Sequence, residues 1–297
     1  MDIHLIYNET AGDGDHSIPR ILKSLKNHSA NVVVFNKKSS KLKHFLKKKC
    51  DFLLIAGGDG TVGKVLKKMV EDPVPIAVLP LGNANNIAES LNIDDFLDGM
   101  VRNWKGNKMQ SLSMGFLEKE GKVDYFLESI GWGLFANTLA GIKKEKKQKS
   151  KDPEDKVAFG LEKLEDALKD LKPISYEIKI DGKDYSGDYL WIEVMNTNYM
   201  GPNLHVAPEA DAEDRYLDVI LIKKGEEEKI KHFIKHQQQK NSHKFDLAIK
   251  AKEVLIKEKG AMHIDDKIME DESGSEPPEN WLRVGLHPQK FKMVPSK

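Results

Sequence analysis

Residues 55–62, with the sequence Ile-Ala-Gly-Gly-Asp-Gly-Thr-Val, constrain the fold of this chain more than any other segment. The apolar run 51–56 predicts a buried strand, and the apolar residues from Val62 to Met69 have the spacing of one helix face. The glycines between them predict a tight turn that lets the backbone approach a ligand closely. The N-terminus of the following helix favours an anion such as phosphate. The segment therefore predicts a phosphate site at the carboxyl end of a strand in an α/β sheet.

Asp59 adds a metal ion to this prediction. A carboxylate repels neighbouring phosphates unless a divalent cation lies between them, so Asp59 indicates Mg²⁺. Glycine-rich turns between strand and helix also occur in α/β proteins without ligands, and the segment alone leaves both interpretations open. A second unit of the same kind favours the phosphate site. Residues 76–79 predict another buried strand, small and amide residues follow at 80–86, and 87–91 predict a helix.

The composition indicates a globular chain of two domains. Its 297 residues are 39% hydrophobic and 32% charged, which suits an ample core and a polar surface. The formal net charge is zero, so no overall field attracts nucleic acid, and we expect no nucleic-acid partner. No apolar stretch reaches the roughly 20 residues that span a bilayer, and the N-terminus lacks a signal-peptide pattern. We expect a cytoplasmic protein, with at most peripheral contact at the inner membrane face.

The single cysteine, Cys50, excludes an internal disulfide and suits a reducing compartment. Three lysines at 47–49 precede it and could lower its pKa. An inert thiol at the edge of a strand is the favoured interpretation.

The first third of the chain alternates between strand and helix patterns, with strands at 3–7 and 32–35 and helices at 18–25 and 41–48. This order predicts a parallel sheet with helices on both faces. Beyond residue 109, strand patterns dominate and predict an antiparallel β domain. The predicted strands of that region are 110–116, 123–129, 174–180, 189–195, 217–222 and 254–257. The predicted domains are 1–106, which binds nucleotide, and 107–297, which binds substrate, and the last residues can return to the first domain.

Several segments interrupt the β pattern. Helices are predicted at 157–171 and 226–239, and Asp181-Gly182 predicts a hairpin turn. The basic run 143–151 can meet anionic lipid head groups at about 1 kcal/mol per residue, although an exposed loop is the favoured interpretation. Residues 270–280 predict a loop.

Polar residues also follow other predicted strands. Asn8 ends the first strand and begins a small-residue turn at the same predicted sheet edge. In the β region, residues 196–201 lead to a Pro-Glu-Ala segment at 208–210 and to an acidic turn at 214–219. A short strand then ends in paired acids at 265–266.

The order of these motifs resembles the soluble diacylglycerol kinase catalytic family, which includes bacterial lipid kinases, sphingosine kinases and ceramide kinases. The resemblance covers nearly the whole chain. It implies an α/β N-terminal domain with a parallel sheet, of the Rossmann-like three-layer kind shared by NAD kinases and diacylglycerol kinases. It also implies a C-terminal antiparallel β-sandwich with inserted helices. The expected activity is transfer of the ATP γ-phosphoryl group to a diacylglycerol-like or sphingoid lipid at a membrane surface.

The resemblance also assigns residues to roles. Asp265 matches the general base that takes the proton of the lipid hydroxyl, and Asp59 matches the acid that positions Mg²⁺. Asp214, with the carbonyls of Leu217 and Val219, resembles a second metal site that suits Mg²⁺ or Ca²⁺, although Asp214 can also be an ordinary turn acid. The residues that match nucleotide-binding positions are Asn8, Gly57, Gly58, Asp59, Gly60, Thr61, Gly82, Asn83 and Asn85.

The chain departs from the family pattern at five positions. Asp266 and Lys267 replace the glycine and glutamate after the catalytic aspartate. Asn83 and Asn86 replace a threonine and an aspartate of the second loop, and Arg215 replaces a glycine of the metal loop. Two alternatives therefore stay open: an NAD kinase-like small-molecule kinase, and a catalytically weakened nucleotide-binding scaffold at membranes. The oligomeric state is equally open, and a homodimer is one option.

Aromatic and histidine residues near these motifs allow two interpretations. Trp132 and Phe135 can line a groove for a lipid acyl chain, or they can pack in the core. His205 and His263 are interpreted as structural hydrogen-bonding residues, because the sequence has no metal-binding histidine spacing.

Overall fold

The structure, a computed structural model, describes residues 1–8, 17–36, 41–71, 73–104, 109–144, 153–239, 248–257, 260–269 and 281–296. The chain divides into two compact units. The first comprises Met1–Ser113 and Pro288–Lys297, and the second comprises Met114–His287. The predicted loop at 270–280 and most of the predicted basic run lie outside the described residues.

The first unit alternates strands and helices, as the sequence predicts. Its elements up to Ser113 are β1 (Asp2–Tyr7), α1 (Ile18–Asn27), β2 (Asn31–Asn36), α2 (Leu42–Leu46), β3 (Phe52–Gly57), α3 (Asp59–Leu66), β4 (Ile76–Pro80), α4 (Asn86–Ser90), α5 (Leu97–Asn103) and β5 (Gln110–Leu112).

The second unit consists mainly of strands. Its elements are β6 (Gly115–Lys119), β7 (Lys122–Phe126), β8 (Ser129–Gly133), α6 (Leu134–Lys144), α7 (Pro153–Lys169), β9 (Ile174–Tyr176), β10 (Ile178–Ile180), β11 (Lys183–Asp184), β12 (Gly187–Met195), β13 (Tyr199–Met200), β14 (Leu204–His205), β15 (Leu217–Lys223), α8 (Glu227–Gln238), β16 (Ile249–Ala251), β17 (Glu253–Lys257), β18 (Met262–Ile264), β19 (Lys267–Met269) and β20 (Trp281–Leu286). The last strand, β21 (Phe291–Met293), belongs to the first unit.

The sheet of the first unit has the strand order β2-β1-β3-β4-β21-β5. Strands β1 to β4 are parallel, and all six residues of β3 are buried, as expected for a central strand with both faces covered. The C-terminal strand β21 pairs in parallel with β4 and antiparallel with β5, and the Val294 N–H donates to the Ile76 carbonyl at 2.7 Å. The predicted parallel α/β domain is confirmed.

The second unit contains two antiparallel sheets, β11-β10-β17-β20-β6-β7 and β16-β15-β12-β8-β18-β19, and β9 also pairs with β12. One buried cluster takes residues from both sheets, for example Ile178 and Val194. A second cluster packs helices α6, α7 and α8 against strands β12 and β15, for example through Leu164, Trp191 and Phe233. The predicted antiparallel β-sandwich with inserted helices is confirmed.

Two aromatic residues with open interpretations lie in these cores. Trp132 belongs to the cluster between the sheets and Phe135 to the cluster under the helices, and both are fully buried. They pack as core residues, which excludes the alternative of an open acyl groove at these side chains. The predicted hairpin turn is also confirmed: Asp181 and Gly182 have φ values of 46° and 80° between the paired residues Ile180 and Lys183.

The Cys50 thiol is half-buried, and this burial raises its pKa to about 11. A thiol with such a pKa is almost wholly protonated at neutral pH and therefore reacts slowly. The favoured interpretation of Cys50 as inert agrees with this environment. Within the described part of the chain, no helix has the length and apolar character needed to cross a membrane.

Candidate functional site

Three predicted nucleotide-binding segments lie at one edge of the first unit's sheet. Strands β1, β3 and β4 are parallel neighbours, so their carboxyl ends meet at this edge. Asn8 follows β1 and its N–H donates to the Ala56 carbonyl at 3.1 Å, while the Leu81 N–H donates to the Gly57 carbonyl at 3.3 Å. The structure therefore brings Asn8, the first glycine loop (residues 57–61) and the second loop (residues 80–85) together.

The two loops touch through their glycines. A Cβ built on Gly58 would lie 2.6 Å from the Gly82 Cα, and a Cβ built on Gly82 would lie 2.5 Å from the Gly58 Cα. No other residue fits at either position without moving a backbone. From the sequence, we expect these glycines to let the backbone approach a ligand. In the structure, the contact between the two loops already requires glycine at both positions.

The Asp59 side chain connects the first loop to the start of α4, the helix that follows the second loop. Its Oδ2 accepts the Asn86 N–H and its Oδ1 accepts the Ile87 N–H, both at 3.0 Å. These two amides belong to the first turn of α4, where backbone N–H groups have no partner within the helix. Asp59 therefore stabilises the start of α4 across 27 residues of sequence.

Asn85 shapes the second loop from within. It adopts a left-handed conformation with φ 55°, which asparagine tolerates better than most residues. Its side-chain oxygen accepts the Gly82 N–H at 2.7 Å, and its side-chain nitrogen donates to the Gly82 carbonyl at 3.1 Å. The side chain thus closes the loop, while Asn83 at the tip is exposed.

The first loop leads into α3 with Gly58 as the residue before the helix, and the Val62 N–H donates to the Gly58 carbonyl at 3.1 Å. Gly60 is exposed, and a Cβ at this position would meet no atom within 4 Å. Thr61 is buried against Gly57. The exposed Gly60 in the first turn of α3 can therefore donate its N–H to a phosphate oxygen, whereas the buried Thr61 donates its N–H to the Gly58 carbonyl at 2.7 Å.

The donor set around Asp59 fits a Mg²⁺ ion that arrives with phosphate groups. Mg²⁺ is usually bound by one or two carboxylates together with water and substrate phosphates. Each Asp59 oxygen accepts a backbone N–H, and a carboxylate oxygen can accept more than one donor or bind a cation. The described residues contain no group of three or more histidine, cysteine, aspartate or glutamate side chains that could hold a metal by themselves.

Asp265 lies in the second unit, in the two-residue turn between β18 and β19. Its Oδ1 accepts the Leu127 N–H at 3.0 Å and the Glu128 N–H at 2.9 Å, so the carboxylate has a fixed position. Asp265 itself is left-handed with φ 51°. Asp266 is not left-handed, so the replacement of the family's glycine by Asp266 introduces no backbone strain of this kind.

A buried ion pair between Glu193 and His263 lies next to this turn. Glu193, Gly131 and His263 are in register on the adjacent strands β12, β8 and β18. Because Gly131 has no side chain, the side chains of Glu193 and His263 contact each other across it. The His263 Nε2 lies 3.0 Å from the Glu193 Oε1, and both side chains are fully buried. A Cβ on Gly131 would lie 2.4 Å from the Glu193 Oε2. The ion pair therefore requires glycine on the middle strand.

His263 also holds the backbone of Asp265. Its Nδ1 lies 2.7 Å from the Asp265 carbonyl oxygen, and Trp191 donates its indole N–H to the Glu193 Oε2 at 2.8 Å. A carbonyl and a carboxylate both accept hydrogen bonds, so His263 donates from both ring nitrogens as an imidazolium. Burial by itself lowers the pKa of His263, but the Glu193 carboxylate outweighs it and raises this pKa above the ordinary value.

The predicted second metal site has a different occupant. The Lys250 Nζ lies 3.0 Å from the Asp214 Oδ2 and 3.0 Å from the Asp218 Oδ2. The Asp214 Oδ1 accepts the Tyr216 N–H at 2.7 Å. Leu217 and Val219 lie in β15, which has neighbouring strands on both sides. This donor set does not fit a divalent cation, because an ammonium group already stands at its carboxylates.

Sequence reasoning did not find Glu193, Gly131 or Lys250. One local signal was available for Glu193, which is the single charged residue in the apolar run 190–195. A charge at a buried strand position requires a partner. The identities of the partners depend on strand register, which the sequence pattern does not reveal.

Two domain families match the chain. The diacylglycerol kinase catalytic domain matches residues 2–117, and the YegS C-terminal NAD kinase beta sandwich-like domain matches residues 139–276. Curated relatives are similar at low identity. A diacylglycerol kinase from Bacillus subtilis is 26% identical over 59% of this chain and 56% of its own length. Another from Staphylococcus carnosus is 23% identical over 95% of this chain and 92% of its own length.

Solved structures share the fold. A diacylglycerol kinase from Bacillus anthracis has a TM-score of 0.69 and 16% identity, with 99% of this chain and 96% of that chain covered. An NAD kinase from Archaeoglobus fulgidus in complex with ATP has a TM-score of 0.56 and 14% identity, with 100% and 94% covered. The two matched domains lie in order along the two structural units, so the chain is similar to diacylglycerol kinases over both of them.

Proposed function

We propose that this protein is an ATP-dependent lipid kinase that phosphorylates the hydroxyl group of a diacylglycerol-like or sphingoid lipid at a membrane surface. The observation that carries the proposal is the pair of interlocked loops in the first unit, joined by Asp59 and by the contact between Gly58 and Gly82. The match of residues 2–117 to the diacylglycerol kinase catalytic domain supports a kinase, and the α3 N-terminus supports the placement of phosphates.

The nucleotide is assigned to the first unit. The α3 amides would bind phosphate oxygens, and Asn8, Asn83 and the second loop would complete the binding site. Asp59 would hold Mg²⁺, which supplies charge neutralisation at the β- and γ-phosphates when it is bound. Lys64 has the Walker A spacing from Gly58, but Val65 replaces the serine or threonine that completes this motif, and Lys64 lies in the last turn of α3. Backbone amides and the metal would therefore provide this charge stabilisation.

The base is assigned to Asp265. Its carboxylate accepts the proton of the lipid hydroxyl while that oxygen forms a bond to the γ-phosphorus. The bond from this phosphorus to the bridging β–γ oxygen breaks, and ADP leaves. Phosphoryl transfer depends mainly on positioning, and the two amide donors of Leu127 and Glu128 fix the Asp265 carboxylate for this task.

A kinase assay over a panel of acceptors tests the proposal. The purified protein, with γ-labelled ATP and Mg²⁺, is expected to label one of diacylglycerol, monoacylglycerol, sphingosine or ceramide in mixed micelles, and to lose this activity when EDTA removes Mg²⁺. NAD is included as a soluble acceptor. Label on NAD alone would favour the small-molecule kinase instead. ATP binding without transfer to any acceptor would favour the scaffold, and either result would overturn the lipid kinase.

Substitution of Gly82 tests the interlocked loops. Alanine at this position would force the Gly58 backbone and the Asn85 side chain away, so we expect Gly82→Ala to lower the free energy of unfolding by about 1–3 kcal/mol. ATP affinity should fall with it, because the second loop moves. Urea unfolding and calorimetric titration with ATP measure the two effects.

Gly60→Ala separates binding from stability. Its Cβ meets no protein atom within 4 Å, and alanine favours a helix, so stability should stay within about 1 kcal/mol of the wild type or rise. The methyl group would occupy the place proposed for phosphate, and ATP affinity should therefore fall. A folded Gly60→Ala protein with unchanged ATP affinity would contradict the proposed phosphate position.

A further inference from the structure

The acidic loop before β15, at residues 209–216, contacts the ammonium group of a lysine on the neighbouring strand. Lys250 lies in β16 directly opposite Asp218 of β15, and its ammonium group contacts three oxygen atoms. The contacts are to the Asp214 Oδ2 at 3.0 Å, the Asp218 Oδ2 at 3.0 Å and the Glu209 carbonyl at 3.3 Å. A lysine ammonium has three N–H donors, so these three acceptors satisfy it completely.

The oxygen atoms around the Lys250 ammonium group are of the types that bind metal cations in proteins. Two carboxylate oxygens and one backbone carbonyl are the hard oxygen donors that Ca²⁺ or Mg²⁺ takes in proteins. Here the same types of donor surround a nitrogen. The two acceptor side chains come from the loop before β15 and from β15 itself, whereas the ammonium comes from the neighbouring strand, so the contact ties β16 to the loop.

Burial makes this cation necessary. The Asp218 side chain is only 2% exposed, and the Lys250 ammonium group lies 3.0 Å from its Oδ2. A buried carboxylate without a counter-ion is strongly unfavourable, so loss of Lys250 should destabilise the second unit.

We propose that Lys250 is the resident cation of this loop, and that it replaces the divalent metal ion which the family resemblance implies at Asp214. The loop is then ordered by the protein alone and requires no Ca²⁺ or Mg²⁺. The inference does not depend on the proposed kinase activity, because it concerns the stability of the second unit and the affinity of one loop for metal.

Thermal unfolding without nucleotide tests the proposal. The wild-type protein should keep its Tm when Ca²⁺ or Mg²⁺ replaces EDTA, since it gains no ligand at this loop. Lys250→Met should lower the Tm by roughly 10 °C. It should also regain part of the loss in Ca²⁺, because the vacated carboxylates can now bind the ion. Lys224→Met, at an exposed lysine of the same unit, is the matched control and should change neither the Tm nor the metal response.

Three results would overturn the proposal. The first is a Lys250→Met protein as stable as Lys224→Met. The second is a folded Lys250→Met protein that binds no Ca²⁺. The third is a wild-type protein that binds Ca²⁺ or Mg²⁺ by calorimetry and loses this binding on Asp214→Asn. This last titration needs no lysine variant, so it decides the question even if Lys250→Met does not fold.

Discussion

Asp265→Asn is expected to lower the rate of lipid phosphorylation by a factor of about 10²–10⁴, the usual contribution of a positioned general base. Asparagine is suited to this position in two ways. Its side-chain oxygen can still accept the Leu127 and Glu128 N–H groups, and it tolerates the left-handed backbone of Asp265. The fold should therefore persist while the proton acceptor is lost. Initial rates at saturating ATP and lipid measure the effect.

Asp266→Asn is the matched control, because it makes the same chemical change at the adjacent, exposed residue of the same turn. It should retain activity within a few-fold of the wild type. Calorimetric titration should give the same ATP affinity for both variants, since the nucleotide is assigned to the first unit. Full activity of Asp265→Asn would remove Asp265 from the mechanism. An equal loss in Asp266→Asn would point to the charge of the turn instead of a base.

The parallel domain was predictable because its signals are local. Each strand of the first unit is a short apolar run, and glycine, asparagine or proline marks the turn after β3 and β4. Two errors have a common cause. The predicted strand 110–116 is split into β5 and β6, which belong to different sheets, and 174–180 is split into β9 and β10 in the same way. An alternating pattern continues through a change of sheet, so the sequence gives no sign of it.

Helix α6 was missed for a different reason. It begins at Leu134 directly after β8, and residues 134–136 are apolar and buried like the strand before them. The start of the helix therefore has no polar capping residue that would separate it from the strand pattern. The same sequence could therefore be read as an aromatic cluster around Trp132 and Phe135.

The candidate site was predictable only where its parts are close in sequence. The glycine loop could be recognised from five consecutive residues, yet its attachment to α4 through Asp59 spans 27 positions. The contact between Lys250 and Asp214 spans 36 positions. Gly131, Glu193 and His263 meet only because β8 pairs with both β12 and β18. Register between distant strands follows from the packed sheet and not from any local pattern.

That three-strand register leads to the second large expected effect, on stability. His263→Gln should lower the free energy of unfolding by about 3–5 kcal/mol, because it leaves the fully buried Glu193 carboxylate without its counter-ion. Adding Glu193→Gln should restore part of this loss, since the double variant has no buried charge. Urea unfolding of the wild type, both single variants and the double variant gives the coupling energy. His205→Gln, at a half-buried histidine stacked on Tyr199, is the control and should lose far less stability.

The stabilisation of the fold by the charge on His263 should also depend on pH. His263 has a raised pKa in the folded protein, so its stabilising charge is fully present below the ordinary histidine pKa of about 6.5. It is lost as the pH rises through the higher folded value. The stability difference between the wild type and the double variant, which has no titratable group at this site, should therefore be largest in mild acid and shrink in alkali. A difference that stays constant or grows with pH would show that His263 packs as a neutral ring. Asp265 would then be held by a simple hydrogen bond rather than by a buried ion pair.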